Sequence, residues 1–248
     1  MTTLEHGRLA GTAPYSKAEQ RRKVWDWPTR FFHWSLVIAF VGAFVTNKLG
    51  ASYFTYHLWF GYAVIILVGF RIVWGFIGTR HARFASFIRG PRGVLRYVSA
   101  AGRGLRTRYA GHNPLGGLMV LTLLLALGAQ ATLGLFGNDE IFNTGPLAPL
   151  VSKQLSLALT SLHRKTFYLI AAAVGLHIVA VLAHVAVKRE PLIRAMFTGA
   201  KPNELVDPDE AIRTSKGPLA AFVLIIISVI LATALHFAPH ADFDLAGY

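Results

Sequence analysis

The stretch LHRKTFYLIAAAVGLHIVAVLAHVAV, residues 162–187, carries two histidines, His163 and His177, along one apolar segment. Fourteen residues is almost four full helical turns, so both imidazoles leave the same helix face about 21 Å apart along the axis. An imidazole inside a bilayer is costly and marks a functional position by default. Two on one stripe, set apart by much of a hydrocarbon core of about 30 Å, predict two haems stacked across a membrane as an electron wire.

Outward from this segment, four further runs are long enough to cross a bilayer, which takes roughly 20 apolar residues each. They cover residues 31–50, 56–78, 114–136 and 218–238. With 54% hydrophobic and 15% charged residues, the chain has no room for a separate soluble domain. The expected fold is therefore all-α and polytopic, in four parts: a tail over 1–24, a domain over 25–200 holding the first four spans, a linker over 201–217, and the fifth span with its tail over 218–248. Residues 1–24 are polar and basic, without an apolar core or a small-residue cleavage site. The first span is thus expected to act as an insertion signal that is kept. There is no cysteine, which excludes disulfides, iron–sulfur ligation and a thioether-bound haem. Any haem here is b-type, held by side chains alone.

The formal net charge is +13, but its distribution argues against nucleic acid. Lysine and arginine crowd the segments Arg8 to Arg30, Arg80 to Arg108 and Lys188 to Lys216, while the intervening connections are nearly bare. Alternate loops carry the excess, as the positive-inside rule requires. The N-terminus is expected in the cytoplasm and the tail APHADFDLAGY outside. FASFIRGPRGVLRYVSAAGRGLRTRY, residues 84–109, fits either a basic amphipathic element on anionic headgroups or a solvated basic loop. KPNELVDPDEAIRTSKGP, residues 201–218, has the prolines and acids of a linker.

Topology assigns each histidine a depth. His33 lies near the inner face and His57 near the outer; His163 is shallow on the outer side, with His177 about 21 Å deeper. Two pairs at matched depth follow, His57 with His163 and His33 with His177, and facing side chains in a bundle core can hold a cofactor between them. Bis-histidine ligation suits electron transfer and disfavours substrate binding at the iron. His184, on nearly the same face as His177, also suits His33 in depth. It could instead exchange a proton at a quinone pocket, since imidazole titrates near neutral pH. Spacing alone leaves the inner ligand open between the two. His6, His81, His236 and His240 fall in tails, a loop or an interface, and are not read as ligands.

Four segments carry a family resemblance: VWDWPTRFFHW (24–34), YHLWFGYAVIILVGFRIVWGFIG (56–78), GHNPLGGLMV (111–120) and LHRKTFYLIAAAVGLHIVAVLAHVAVKREPLIRAMFTG (162–199). The chain resembles the b-type cytochrome subunit of nickel–iron hydrogenases and the related bacterial cytochrome b-561 proteins over roughly residues 24–200. The resemblance implies a four-helix bundle in a bacterial inner membrane with two b haems on His33, His57, His163 and His177. It favours His177 over His184, and it implies electron exchange with membrane quinone and a partner redox protein. The fifth span, GPLAAFVLIIISVILATALHFAP (217–239), looks like an addition to that core, either a peripheral packing helix or a docking surface for another membrane subunit.

Haem propionates need cationic partners, and arginine offers paired donors. Arg30, Arg71, Arg164 and Lys165 are the candidates. Arg71 is the most informative, fourteen residues after His57 inside an apolar helix; snorkelling to the interface is its bland reading. His112 adjoins the third span, where Asn113 and Pro114 suit a helix start. It joins His184 as a possible quinone contact, with a capped helix start as the simpler explanation. Gly61 and Gly175 could clear room for a porphyrin face. The expected function is electron transfer between the quinone pool and a periplasmic partner such as a hydrogenase, a cytochrome or a dehydrogenase. The expected associations are lipid, quinone, that redox protein and a homo- or hetero-oligomer. Two alternatives stand beside it: a self-sufficient superoxide:quinone oxidoreductase, and a proton-coupled transporter with histidine relays, against which the lack of membrane-embedded acids counts.

Overall fold

Asp26 starts the first span. Its side chain accepts the Thr29 backbone N–H at 2.7 Å, and Pro28 supplies a preset φ in the first turn, so helix α1 runs from Trp27 to Lys48. The computed structural model describes residues 21–105, 107–141 and 143–239. The tail up to residue 20, including His6, and the tail from His240 lie outside the described residues. The other elements are α2 (Phe54–Ile77), α3 (Phe84–Phe87), α4 (Pro91–Gly102), α5 (Pro114–Leu135), α6 (Lys153–Val187), α7 (Leu192–Thr198) and α8 (Gly217–His236). Two short strands accompany them, β1 (Arg21–Lys23) and β2 (Ala200–Pro202). Five helices, α1, α2, α5, α6 and α8, are long and apolar enough to cross a membrane. The chain is an all-α, multi-pass membrane protein.

The largest departure from the expected spans is α6. It begins at Lys153 rather than residue 162 and extends for 35 residues. That is about 52 Å, well beyond a hydrocarbon core. Ser152 caps it through the Leu155 N–H at 3.3 Å. The first turns, KQLSLALTS, mix polar residues with good helix formers, so an apolar criterion misses them. Ser156 ties this extension down by donating to the Phe136 carbonyl at 2.6 Å.

Helix α2 is central, with α1, α5 and α8 packed around it, and α6 lies along α5. Phe32, Leu67, Phe70, Trp74, Leu124 and Ile170 form the shared core, which Ala220 and Val223 of α8 join from outside the first four spans. Helix α6 touches α1 through Phe167, stacked on Phe44 at 5.4 Å and Phe40 at 6.2 Å.

At the basic end, the segment read as a linker is a strap fastened across the bundle. Strand β1 pairs antiparallel with β2, Arg22 opposite Lys201. Arg22 donates to the carbonyls of Asn203 (3.0 Å) and Val206 (2.6 Å), Arg80 to Asp209 (2.7 Å) and Arg108 to Glu204 (3.0 Å). Composition cannot reveal this, because the order comes from side chains more than ninety residues away in sequence. Gly199 makes the turn into β2. Its φ is +82°, and a Cβ there would lie 2.7 Å from the Trp25 carbonyl. Within residues 84–109, Pro91–Gly102 form helix α4, with Tyr97 buried and Leu95, Val98, Arg92 and Arg96 exposed. Lys216 joins α8 to α2 by donating to the Ile77 carbonyl at 3.1 Å.

Candidate functional site

The four interior histidines fall in two layers. In the layer far from the basic end, His57 on α2 donates from Nδ1 to the Ala43 carbonyl at 2.8 Å, and His163 on α6 donates from Nδ1 to the Gln130 carbonyl at 2.9 Å. A carbonyl can only accept, so each Nδ1 carries a proton, and in the neutral ring Nε2 is the nitrogen whose lone pair can bind a metal. The ring centroids are 6.2 Å apart and the planes cross at 84°. Two imidazoles each bonded to one metal at about 2 Å have centroids about 6 Å apart, so this spacing fits a shared ion. Gln130 also donates from Nε2 to the His163 carbonyl at 2.9 Å and accepts from the Thr166 hydroxyl, which clamps α5 to α6 at the ligand. Gly134 leaves room for the ring, since a Cβ there would lie 3.1 Å from His163 Cε1. A Cβ at Gly61, one turn after His57, would meet nothing within 4 Å, and the same is true of Gly175, two residues before His177.

In the second layer, His33 on α1 and His177 on α6 lie within electrostatic reach of each other, and the buried His33 Nδ1 has no hydrogen-bond partner. His112 lies within electrostatic reach of His177, and Arg71 within reach of His112. Arg71 is 2% exposed; its guanidinium faces the Phe84 and Phe87 rings at 5.2 and 5.8 Å, and its Nη1 is unpartnered. His112 is held between Trp25 and Phe87, each with a ring centroid 4.7 Å away, with Nδ1 unpartnered. Burial, helped by the nearby Arg71 and Lys201 cations, pushes the His112 pKa down to about 3, so its ring stays neutral. Orphaned buried polar atoms are costly unless something else satisfies them. Arg30 Nε is another, although Arg30 Nη1 donates to the Phe197 carbonyl.

His184 stands apart from this set. Its Nδ1 donates to the Ala180 carbonyl at 2.9 Å, and Nε2 accepts from Asn113 Nδ2 and Lys188 Nζ, both at 3.3 Å. Both nitrogens are committed, and Lys188 continues to the Tyr97 hydroxyl at 3.2 Å. Arg164 and Lys165 are exposed on α6 beside His163. Two residues escaped the sequence reading. Gln130, a polar side chain within an apolar span, carries the same signal as the histidines. Asp26, 1% exposed, accepts from Trp74 Nε1 at 3.2 Å and from the Thr79 hydroxyl and lies within electrostatic reach of Arg71; its signal was a carboxylate just ahead of Trp-Pro.

A model of the prokaryotic cytochrome b561 family matches residues 24–199. The chain belongs to that family. No curated protein and no solved structure matches it. As a prokaryotic cytochrome b561 it is a membrane b-type cytochrome of electron transfer, which displaces the histidine-relay transporter reading. The matched range spans α1 to α7 and ends at Gly199, so most of the strap and α8 lie beyond the family's core.

Proposed function

We propose that this cytochrome holds two b haems and carries electrons across the membrane between the quinone pool and a periplasmic redox partner. The observation that carries the reading is the pair of histidine layers, above all the 6.2 Å spacing of His57 and His163 with both Nε2 atoms free. Bound haem supplies a one-electron carrier at each layer. His57 and His163 would hold one, and His33 and His177 the other. The Nδ1–H bonds to Ala43 and Gln130 fix ring orientation and raise ligand basicity. Arg71 through its Nη1, and Arg30 through its Nε, have buried donors to offer and would meet propionates of the second haem. The basic end faces the cytoplasm on this reading, because Lys and Arg collect there. Of the two quinone candidates, His112 has a nitrogen to offer, while His184 has none. The partner class, a hydrogenase, a cytochrome or a dehydrogenase, would meet the opposite end.

Vesicles carrying the purified protein test the transfer directly. Quinol supplied in the membrane is expected to reduce the haems, and ferricyanide, which cannot cross the bilayer, to reoxidise them from the side of His57. Haems that quinol cannot reduce would overturn the quinone role. The superoxide:quinone reading keeps one supporting feature, the exposed cations Arg164 and Lys165 beside His163. Rapid reduction by superoxide without a partner protein would favour it.

Two changes probe the surroundings of the haems. Arg71→Leu removes a buried cation that favours the reduced state. The midpoint potential of one haem is expected to fall by about 60 mV or more, a tenfold shift in a one-electron equilibrium; an unchanged titration would make Arg71 a simple anchor. Gln130→Leu leaves the backbone acceptor for His163 but breaks the clamp between α5 and α6. Both haems are expected to stay, with stability lowered by about 1–3 kcal/mol, read from thermal loss of the Soret band.

A further inference from the structure

An open cavity of about 400 Å³ lies at the basic end, and His112, beside the second histidine layer, lines it. Arg80 from the turn after α2, Arg89 from the end of α3 and Arg108 from the segment before α5 bring three guanidinium groups to its wall, together with Ser86. Each uses only part of its donor set within the chain. Arg80 and Arg108 hold strap carbonyls at 2.7 and 3.0 Å, and Arg89 bonds back to carbonyls in and beside α3, the shortest being Ser86 at 2.9 Å. A guanidinium has five N–H donors, so all three keep some for a ligand.

The floor is the neutral ring of His112, with two further cations, Arg71 and Lys201, in electrostatic reach; both are 2% exposed. Asp207 and Glu210 share the wall, Glu210 lying 3.9 Å from Arg80. Three cations against two acids leave the wall positive, and the buried pair beneath adds to that field.

Helix α4 adjoins the cavity. Tyr97 of α4 meets Tyr109 of the cavity wall edge-to-face at 5.8 Å. On its other side α4 exposes Leu95 (65%) and Val98 (47%) beside Arg92 and Arg96, the face of a helix seated among headgroups. Seating that face among headgroups would open the cavity at the level of the lipid phosphates.

We infer that this cavity is a binding site for a phosphate-bearing anion, supplied either as the headgroup of an anionic phospholipid or as a soluble phosphate compound. The planar forks of Arg80, Arg89 and Arg108 match phosphate geometry, and the low-dielectric floor strengthens the attraction. The assignment does not depend on which histidines hold haem.

The test is a calorimetric titration of the detergent-purified full chain with dioctanoyl phosphatidylglycerol, and with dioctanoylglycerol as the probe lacking phosphate. One saturable site for the phospholipid is expected, weakened tenfold or more by Arg89→Gln and by Arg108→Gln and unchanged by Arg103→Gln on the exposed end of α4. Pyrophosphate that displaces the lipid would identify a soluble phosphate as the source, and pyrophosphate that fails to would identify the headgroup. Equal binding of dioctanoylglycerol, no saturable binding, or indifference to both substitutions would overturn the site. Far-UV circular dichroism checks that each variant is folded. Should Arg108→Gln loosen the strap, Arg89→Gln decides, because its bonds stay within its own turn.

Discussion

Replacing His163 with alanine is expected to remove one haem and leave the other nearly intact. His163 is fixed on α6 by the Gln130 carbonyl, faces His57 across 6.2 Å, and is about 21 Å along the helix from His177. The pair it serves is thus separate from the His33 and His177 layer, and a lost axial ligand should not reach that far. His57→Ala should give the same outcome from the opposite helix. Potentiometric titration should show one of two components missing, with the low-spin absorbance roughly halved. Loss of both components from either change would mean that the pairs are wrong or that haem insertion at one layer is required for the other.

The second large effect separates His177 from His184. His177→Ala is expected to abolish the haem of the His33 and His177 layer. His184→Ala is expected to keep that haem low-spin, because both of its nitrogens are engaged by Ala180, Asn113 and Lys188. Its cost should appear instead as a loss of roughly 1–3 kcal/mol in stability, since Asn113 and Lys188 are left without their acceptor. A haem of that layer that survives His177→Ala and disappears in His184→Ala would transfer the ligand role. Visible spectra of the two variants, purified side by side, are sufficient.

Much of this arrangement can be read from the chain before any coordinates. The five apolar runs give the spans because an uninterrupted apolar segment of that length has few other uses. The fourteen-residue interval in α6 sets its two histidines in separate layers because the helical period is fixed. Boundaries were less legible: the first turns of α6 are polar enough to escape an apolar criterion, yet Ser152 and Ser156 hold them in the helix. The strap was illegible for a different reason. Its prolines and acids read as a tether, while its order depends on Arg22, Arg80 and Arg108 reaching carbonyls far away in sequence.

At the site, the histidines were visible because each is expensive in a membrane. The groups that aim them were not. Ala43 and Gln130 act through backbone carbonyls, which every residue carries, so nothing in their side chains announces that role. Spacing treats His177 and His184 alike; the rings differ in that both His184 nitrogens are hydrogen-bonded, which is the basis for proposing His177 as the ligand.

The haem content of the purified full chain bears most directly on the two-layer arrangement. A pyridine haemochrome assay, normalised to protein by amino-acid analysis, is expected to give two b haems per chain. One or none, from protein shown to be folded by its helical circular dichroism, would contradict it.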